Sequence, residues 1–193
     1  MLIISHRVNT LSDLAAVPTE CGVEVDIRDY NGRLCMTHDS FSEGEDLNTF
    51  LAHYCHSQII FNTKCDGLES EILRLAEKHN VTNYFFLDTA LPTLVKLSGR
   101  GIRNAAVRFS EYEPLEFTMR FAGLVDWVWI DCFTHLPLDQ QTYSALHSQF
   151  RICIVSPELQ GHGRSKIAEF RQHLSAMPPD AVCTDFPSDW SVQ

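Results

Sequence analysis

The sequence predicts an α/β fold in which parallel strands alternate with helices. Three observations indicate it. Short apolar runs rich in β-branched and aromatic residues recur along the chain, helical patterns separate them, and no linker or low-complexity segment interrupts the alternation. The length of 193 residues suits one domain, so residues 1–193 are predicted to form a single compact domain.

Eight runs have the composition and length of strands. They cover residues 2–5, 22–27, 59–63, 83–87, 105–109, 127–130, 152–155 and 181–184. Helical patterns lie between them at residues 9–17, 46–56, 68–78, 91–98, 113–121, 138–149 and 164–175. Eight alternating strands predict a (β/α)8 TIM-type barrel. Because such barrels typically have about 250 residues, an incomplete or distorted barrel is the open alternative.

One segment departs from the alternation of strand and helix. Asn31-Gly32 stands at the centre of residues 28–37, and this dipeptide is typical of a tight hairpin turn. The pattern therefore predicts a hairpin that leads into a short extra strand after the second strand of the barrel.

Composition and charge exclude several classes of partner. The formal net charge of −10 disfavours nucleic acid and anionic membrane surfaces, which both reward basic faces. No apolar run is long enough to span a bilayer and no signal segment follows Met1, so we expect a cytoplasmic protein without stable membrane anchoring. The predicted partner is a small molecule. The seven cysteines show no C-x-x-C spacing, and Cys35, Cys132, Cys153 and Cys183 are predicted to be reduced thiols in strand-like runs.

Paired carboxylates mark the end of the second strand. Glu24 and Asp26 are two residues apart and therefore share one face of the strand. Such a pair repels itself unless a cation lies between the two groups, and Mg²⁺ or Ca²⁺ would suit these oxygen ligands. The alternative is an ordinary surface face paired with basic neighbours. On the third strand Asn62 aligns with Lys64, where an amide oxygen could bind the cation and an ammonium could bind a phosphoryl oxygen.

Two histidines complete this constellation. His6 ends the first strand and His38 follows the hairpin, so both are expected near the carboxyl ends of the strands, where catalytic groups of such barrels lie. A pair of histidines beside one cation suits general base and general acid catalysis of alcohol displacement from phosphorus. Later strand ends contribute Asp131, a candidate for substrate recognition, and Glu158, a candidate substrate contact.

The order of these motifs resembles that of the glycerophosphodiester phosphodiesterase family, within the wider group of barrel phosphodiesterases that includes phosphatidylinositol-specific phospholipase C. The matching pieces are His6-Arg7, Asn9-Thr10, Gly22-Val23-Glu24-Val25-Asp26, Asn31-Gly32 and His38-Asp39. Asn62-Thr63-Lys64 falls where the family shows E-I-K, and Thr184-Asp185-Phe186-Pro187 is similar to its T-D-x-P strand end. The specific matches lie mainly in the first third of the chain.

The resemblance implies a mechanism and assigns roles. A neighbouring hydroxyl of the substrate would attack phosphorus and give a cyclic phosphate that can then be hydrolysed. The residues implied are His6 and His38 as the acid/base pair, Glu24, Asp26 and Asn62 as metal ligands, and Arg7 and Lys64 as phosphate-binding groups. Asn62 replaces the family's third carboxylate, so the divalent cation should bind more weakly.

Two other hypotheses remain open at this point. Asn62, together with Val8 in place of a family glycine, suggests a barrel that binds a phosphoryl ligand without turnover. A sugar-phosphate isomerase with Glu158 or Asp185 as its base is the third candidate, and a large separation of His6 from His38 would favour it. The leading hypothesis is a phosphoric diester hydrolase acting on a glycerophosphodiester or a related lipid head-group ester.

Overall fold

A computed structural model describes residues 1–191. Its strands are β1 Leu2–Ser5, β2 Gly22–Tyr30, β3 Arg33–Met36, β4 Glu45–Asp46, β5 Gln58–Thr63, β6 Tyr84–Leu87, β7 Ala106–Phe109, β8 Trp127–Ile130, β9 Arg151–Val155 and β10 Ala181–Thr184. Its α-helices are α1 Leu11–Ala16, α2 Leu47–His53, α3 Glu69–Lys78, α4 Leu91–Gly99, α5 Leu115–Met119, α6 Gln140–His147, α7 Lys166–His173 and α8 Pro187–Trp190. Short 3₁₀ turns cover Pro157–Gln160 and Leu174–Ala176.

The chain divides into two compact units, one formed by residues 5–97 and the other by residues 1–4 together with the chain from residue 98 onward. In the unit of residues 5–97 the strand order is β4-β3-β2-β5-β6. Strands β2, β5 and β6 run parallel, with Asp26 opposite Asn62 and Asn62 opposite Leu87. Because parallel strands end at one edge, the polar residues at the ends of these three strands meet there.

The predicted hairpin forms at the end of β2. This strand continues past its parallel partner and pairs antiparallel with β3, with Tyr30 opposite Arg33. Asn31 and Gly32 take positive φ values of 53° and 74°, which is the backbone that a type I′ turn requires. The hairpin explains why β2 ends three residues later than the sequence predicts.

The unit that begins at residue 98 contains the remaining parallel strands. Strands β7, β8, β9 and β10 pair in chain order, and Leu2 of β1 donates to the Asp180 carbonyl oxygen ahead of β10. Apolar side chains of these strands are buried, including Val128, Ile130 and Ile154 at 0% exposure. Burial on both faces is expected of parallel strands that are covered by helices.

Side-chain caps fix where three of the helices begin. Thr10, Asp46 and Asp139 each accept a hydrogen bond from the backbone N–H three residues later. This satisfies one of the free N–H groups of the first turn. The caps explain why these helices start one or two residues after the predicted positions.

The predicted alternation is confirmed in every element. All eight strands and all seven helices occur at the predicted places, with ends that differ by a few residues. Cys35, Cys132, Cys153 and Cys183 are buried and form no disulfide within residues 1–191, as predicted. Within residues 1–191, no helix is long and apolar enough to cross a membrane.

Candidate active site

The carboxylates of Glu24 and Asp26 lie at the edge where β2, β5 and β6 end. Both side chains point to the same face of β2, as the spacing predicts, and each residue is only 1% exposed. Two carboxylates are held here out of water, so the protein must compensate their charge.

Hydrogen bonds from the segment after β1 hold both carboxylates. The backbone N–H of Arg7 donates to Glu24 Oε2 over 2.8 Å, with Arg7 in a left-handed backbone conformation at φ 53°. Asn9 uses its whole amide on Asp26: Nδ2 donates to Asp26 Oδ2 over 2.9 Å and Oδ1 accepts from the Asp26 backbone N–H over 2.8 Å. Val8 donates its N–H to the Glu24 carbonyl oxygen over 2.8 Å, which holds the segment after β1 against β2.

A positively charged side chain at the site comes from Lys64, the residue directly after β5. Lys64 Nζ lies 3.3 Å from Asp26 Oδ1 and 3.2 Å from Asp88 Oδ2, and the Lys64 side chain is 18% exposed. The Arg7 guanidinium is a second, longer contact, with Nε 3.9 Å from Asp26 Oδ2. Lys64 and Arg7, both predicted as phosphate-binding groups, are thus brought together at Asp26.

Asn62 lies on β5 opposite Asp26 of β2, and its side chain contacts the Glu24 carboxylate. Its Nδ2 donates to Glu24 Oε1 over 2.7 Å. Its Oδ1 is buried and has no hydrogen-bond partner among residues 1–191. An unpartnered carbonyl oxygen in a buried polar site is costly, and it marks a place where a donor or a cation would be stabilised.

Burial raises the pKa of Glu24 above its usual range, and the charge of Asp26 raises it further. The nearby charge of His6 and the hydrogen bonds from Arg7 and Asn62 oppose this rise. The net direction favours the protonated carboxyl. The charge of Glu24 therefore depends on the hydrogen bonds and charges around it.

The two predicted catalytic histidines have different surroundings. His6 lies close enough to Glu24 for its charge to affect the carboxyl, as the pKa shift shows. His38 lies on the loop after β3, half exposed, with Nδ1 3.1 Å from Asp39 Oδ1. Arg28 donates from Nε and Nη2 to the His38 carbonyl oxygen over 3.1 and 2.9 Å, which fixes the backbone of that loop.

Asp131 belongs to a buried network in the other unit. It is 1% exposed and accepts hydrogen bonds from Trp129 Nε1 over 3.2 Å and from Gln160 Nε2 over 2.9 Å, besides its ion pair with Arg108. Burial raises the pKa of Asp131, and the Arg108 guanidinium acts against that rise. Arg108 is about one third exposed, so the network holds a guanidinium that a ligand can reach.

Glu158 is held by groups at the ends of β9 and β10. It accepts hydrogen bonds from Ser156 Oγ, from Thr184 Oγ1 over 2.6 Å and from the Asp185 backbone N–H over 3.0 Å. Both carboxylate oxygens are therefore engaged with the protein. The predicted contact between Glu158 and substrate stays a prediction.

The oxygen atoms of β2 and β5 could bind a hard divalent cation, although few of them carry a negative charge. Among residues 1–191, no group of three or more His, Cys, Asp or Glu side chains is placed to hold a metal ion. Glu24 and Asp26 supply two carboxylates, and the unpartnered Oδ1 of Asn62 supplies a neutral oxygen. Oxygen donors of this kind are the ligands that Mg²⁺ and Ca²⁺ prefer, and two carboxylates with one amide carry less negative charge than three carboxylates would.

Three residues of the site are not placed there by sequence reasoning. Asn9 is named only within a motif of the family resemblance, and neither Arg28 nor the pairing of Asp88 with Lys64 is predicted. Arg28 shares the face of Glu24 and Asp26 by strand period, so the same argument could have found it. Asp88 takes φ 59°, a left-handed conformation that no local sequence signal indicates.

The chain is similar in structure to known proteins, but no similar sequence was found. No family model and no curated protein sequence matches it. The crystal structure of glycerophosphodiester phosphodiesterase from Agrobacterium tumefaciens strain C58 has a TM-score of 0.74 at 11% identity, over 99% of this chain and 99% of that one. A glycerophosphoryl diester phosphodiesterase from Parabacteroides distasonis ATCC 8503 has a TM-score of 0.68 at 10% identity, over 97% of this chain and 84% of that one.

These neighbours confirm the predicted fold class, a TIM-type barrel in its distorted form. Both neighbours are glycerophosphodiester phosphodiesterases, the family whose motif order this sequence resembles. At this identity the likeness shows the fold alone. Function is therefore argued from the residues of the site.

Proposed function

We propose that the protein is a metal-assisted phosphodiesterase that cleaves a glycerophosphodiester-like substrate by general acid and base catalysis through a cyclic phosphate. The observation that carries the proposal is the buried pair Glu24 and Asp26 with the Lys64 ammonium at one strand edge. A neutral ligand would not need this concentration of charge, whereas a phosphodiester brings an anion that Lys64 and Arg7 can bind.

Glu24, Asp26 and Asn62 would hold the divalent cation. Bound there, the cation would act as a Lewis acid toward the phosphoryl oxygens. The residues of the chain itself supply orientation: Lys64 and Arg7 bind phosphate oxygens, and Asn9 keeps the Asp26 carboxylate in one position. Because burial raises the pKa of Glu24, protons would compete with the cation for this carboxyl, more strongly as the pH falls.

His6 and His38 would move the protons. One imidazole takes the proton of a substrate hydroxyl next to the diester as its oxygen attacks phosphorus, and the other gives a proton to the departing alcohol oxygen. Water then opens the cyclic phosphate with the roles reversed. If His38 donates its Nδ1–H to Asp39, its Nε2 is left as an acceptor, which is the state that a base requires.

The test is hydrolysis of glycerophosphocholine and glycerophosphoethanolamine with Mg²⁺, Mn²⁺ or Ca²⁺ and, in parallel, with a chelator. We expect metal-dependent release of glycerol phosphate or its cyclic form. His6→Ala and His38→Ala should each lower kcat by about 10²–10⁴-fold, the usual contribution of a positioned acid or base. His53→Ala is the matched control, because His53 is an exposed histidine on α2 that bonds only the Thr49 carbonyl oxygen among the described residues. Equal activity of all three variants would contradict the proposed roles.

A second candidate function is binding of a phosphoryl ligand without turnover. It is favoured by one observation, the hydrogen bond from Asn62 to Glu24 where a metal-binding carboxylate would otherwise stand. Binding of glycerol phosphate with no product from either diester, under any of the three metals, would support this candidate over the enzyme.

A further inference from the structure

The loop between β3 and β4 carries an unusual residue at its tip. Phe41 is 99% exposed, and it is the most exposed large apolar side chain in residues 1–191. Its φ of 63° lies in the left-handed region, which a bulky side chain adopts only at an energetic cost. The left-handed backbone of Phe41 therefore costs free energy. The exposed ring offsets almost none of that cost, because it buries hardly any apolar surface against the protein.

The base of this loop is firmly held, so the exposure of Phe41 is built into the fold. Thr37 donates its N–H to the Asp26 carbonyl oxygen over 3.0 Å at one end. At the other end Gly44 packs against Met36 so closely that a Cβ would clash with the Met36 carbonyl oxygen. Arg33 pairs with Glu43 over 2.9 Å across the loop.

The loop starts at His38 of the candidate active site, whereas Phe41 itself has no part in the assigned chemistry. Phe41 is three residues after His38, and Arg28 fixes the His38 carbonyl oxygen. Any surface that receives the Phe41 ring is therefore brought next to the predicted acid/base residue. The exposed carboxylates of Asp39 and Glu43, together with the net charge of −10, would repel an anionic surface.

We propose that residues 38–43 form a docking loop whose Phe41 ring inserts into a zwitterionic phospholipid surface. The loop would present the active site to phosphodiesters that are embedded in that surface. This second statement rests on the proposed function, whereas insertion of Phe41 does not. One ring gives weak, reversible binding.

The first test measures insertion by fluorescence and needs no turnover. Trp127, Trp129 and Trp190 are at most 5% exposed, so F41W adds the one tryptophan of residues 1–191 that lipid can reach. With vesicles of brominated phosphatidylcholine we expect quenching and a blue shift in F41W and neither in the unchanged protein. An unquenched F41W would overturn the proposal, as would stronger quenching in brominated phosphatidylglycerol vesicles. Concentration-dependent dimerisation through Phe41 without lipid quenching would overturn it in favour of a protein interface.

The second test asks whether insertion serves the reaction. Phe41→Asn removes the ring and suits the left-handed backbone, so this variant should fold with an unchanged or higher melting temperature. We expect at least about tenfold lower kcat/KM on a lysophospholipid in zwitterionic micelles, from the loss of one buried phenyl ring, and an unchanged value on soluble glycerophosphocholine. Leu124→Ala is the matched control, since Leu124 is another exposed large apolar side chain, at 44% exposure, and belongs neither to the docking loop nor to the candidate active site.

The outcomes separate the two proposals. A protein that inserts F41W into lipid but hydrolyses no diester contradicts the phosphodiesterase and leaves the docking loop standing. A protein that hydrolyses soluble diesters, with Phe41→Asn equal to the unchanged protein on micelles, contradicts the docking loop and leaves the phosphodiesterase standing. A lower melting temperature in Phe41→Asn would mean that the ring serves the fold, and it would overturn the proposal.

Discussion

The Lys64 ammonium lies between two carboxylates, 3.3 Å from Asp26 Oδ1 and 3.2 Å from Asp88 Oδ2. Asp26 is buried, whereas the Asp88 side chain is 25% exposed and extends toward solvent. Lys64 thereby compensates the buried charge while its outer side stays within reach of an anion. The positions of these three groups follow from the parallel register of β2, β5 and β6.

Replacement of Lys64 should harm both stability and activity. In Lys64→Met the Asp26 carboxylate stays buried without its cation, which should cost about 1–3 kcal/mol in the free energy of unfolding. We expect kcat/KM on the diester to fall at least about 10²-fold, because a charge that stabilises the phosphoryl oxygens is lost. Urea unfolding and initial-rate kinetics measure the two effects.

Lys166→Met is the control for this variant. Lys166 pairs with Glu169 over 2.7 Å, but its side chain is half exposed, and surface pairs contribute little. Lys64→Met behaving like Lys166→Met in both assays would rule out the assigned role of Lys64.

Asn62→Asp tests the proposed cation site without any activity assay. The new carboxylate stands beside Glu24 and Asp26, so like-charge repulsion should lower the melting temperature of the metal-free protein. Added Mg²⁺ or Ca²⁺ should raise it more in Asn62→Asp than in the unchanged protein, since binding to the folded state alone stabilises it. Asn83→Asp is the control, because Asn83 is exposed and precedes β6, at the opposite end of that strand. If the metal raised the melting temperature of both variants equally, Asn62 would not be a metal ligand.

The raised pKa of Glu24 predicts a pH dependence of stability. A carboxyl whose pKa is higher folded than unfolded binds its proton more tightly in the folded state. Its contribution is therefore favourable at low pH and is lost as pH rises through the folded pKa. Glu24→Gln has no carboxyl to ionise and so avoids this loss of stability at higher pH. If the Asn62 amide group rotates by half a turn, its Oδ1 can also accept a hydrogen bond from the new Gln amide.

We accordingly expect Glu24→Gln to melt higher than the unchanged protein at pH 7 and at a similar temperature near pH 4, with chelator present throughout. Glu77→Gln, on the exposed face of α3, should show no such pH-dependent difference. An advantage of Glu24→Gln that is larger at pH 4 than at pH 7 would show that the pKa shift has the opposite sign.

The fold could be predicted because its signals are local. Strand composition, helix period and turn residues such as Asn31-Gly32 each act within a few positions, and together they give the order of elements. The same period-two rule puts Glu24 and Asp26 on one face of their strand from their spacing alone. Where local caps or pairing extend an element, as at the end of β2, the predicted boundary is off by a few residues.

The contacts within the site could not be predicted, because they join residues far apart in sequence. The hydrogen bond from Asn62 to Glu24 and the one from Asn9 to Asp26 depend on which strands become neighbours. The same holds for Asp88, whose carboxylate reaches Lys64 across the parallel register. The sequence identifies the polar residues at the strand ends, but the order in which the strands pair determines which of these residues are in contact.

Replacement of Glu158 can show whether its carboxylate binds substrate or stabilises the fold. Its carboxylate accepts hydrogen bonds from Ser156, Thr184 and the Asp185 N–H, and so ties the end of β9 to the end of β10. In Glu158→Gln the amide cannot accept all three, and we expect a loss of about 1–3 kcal/mol in the free energy of unfolding with little change in KM. Glu169→Gln, an exposed partner of Lys166, should leave both unchanged. A several-fold rise in KM at unchanged stability would instead place the Glu158 carboxylate on the substrate, as the sequence predicts.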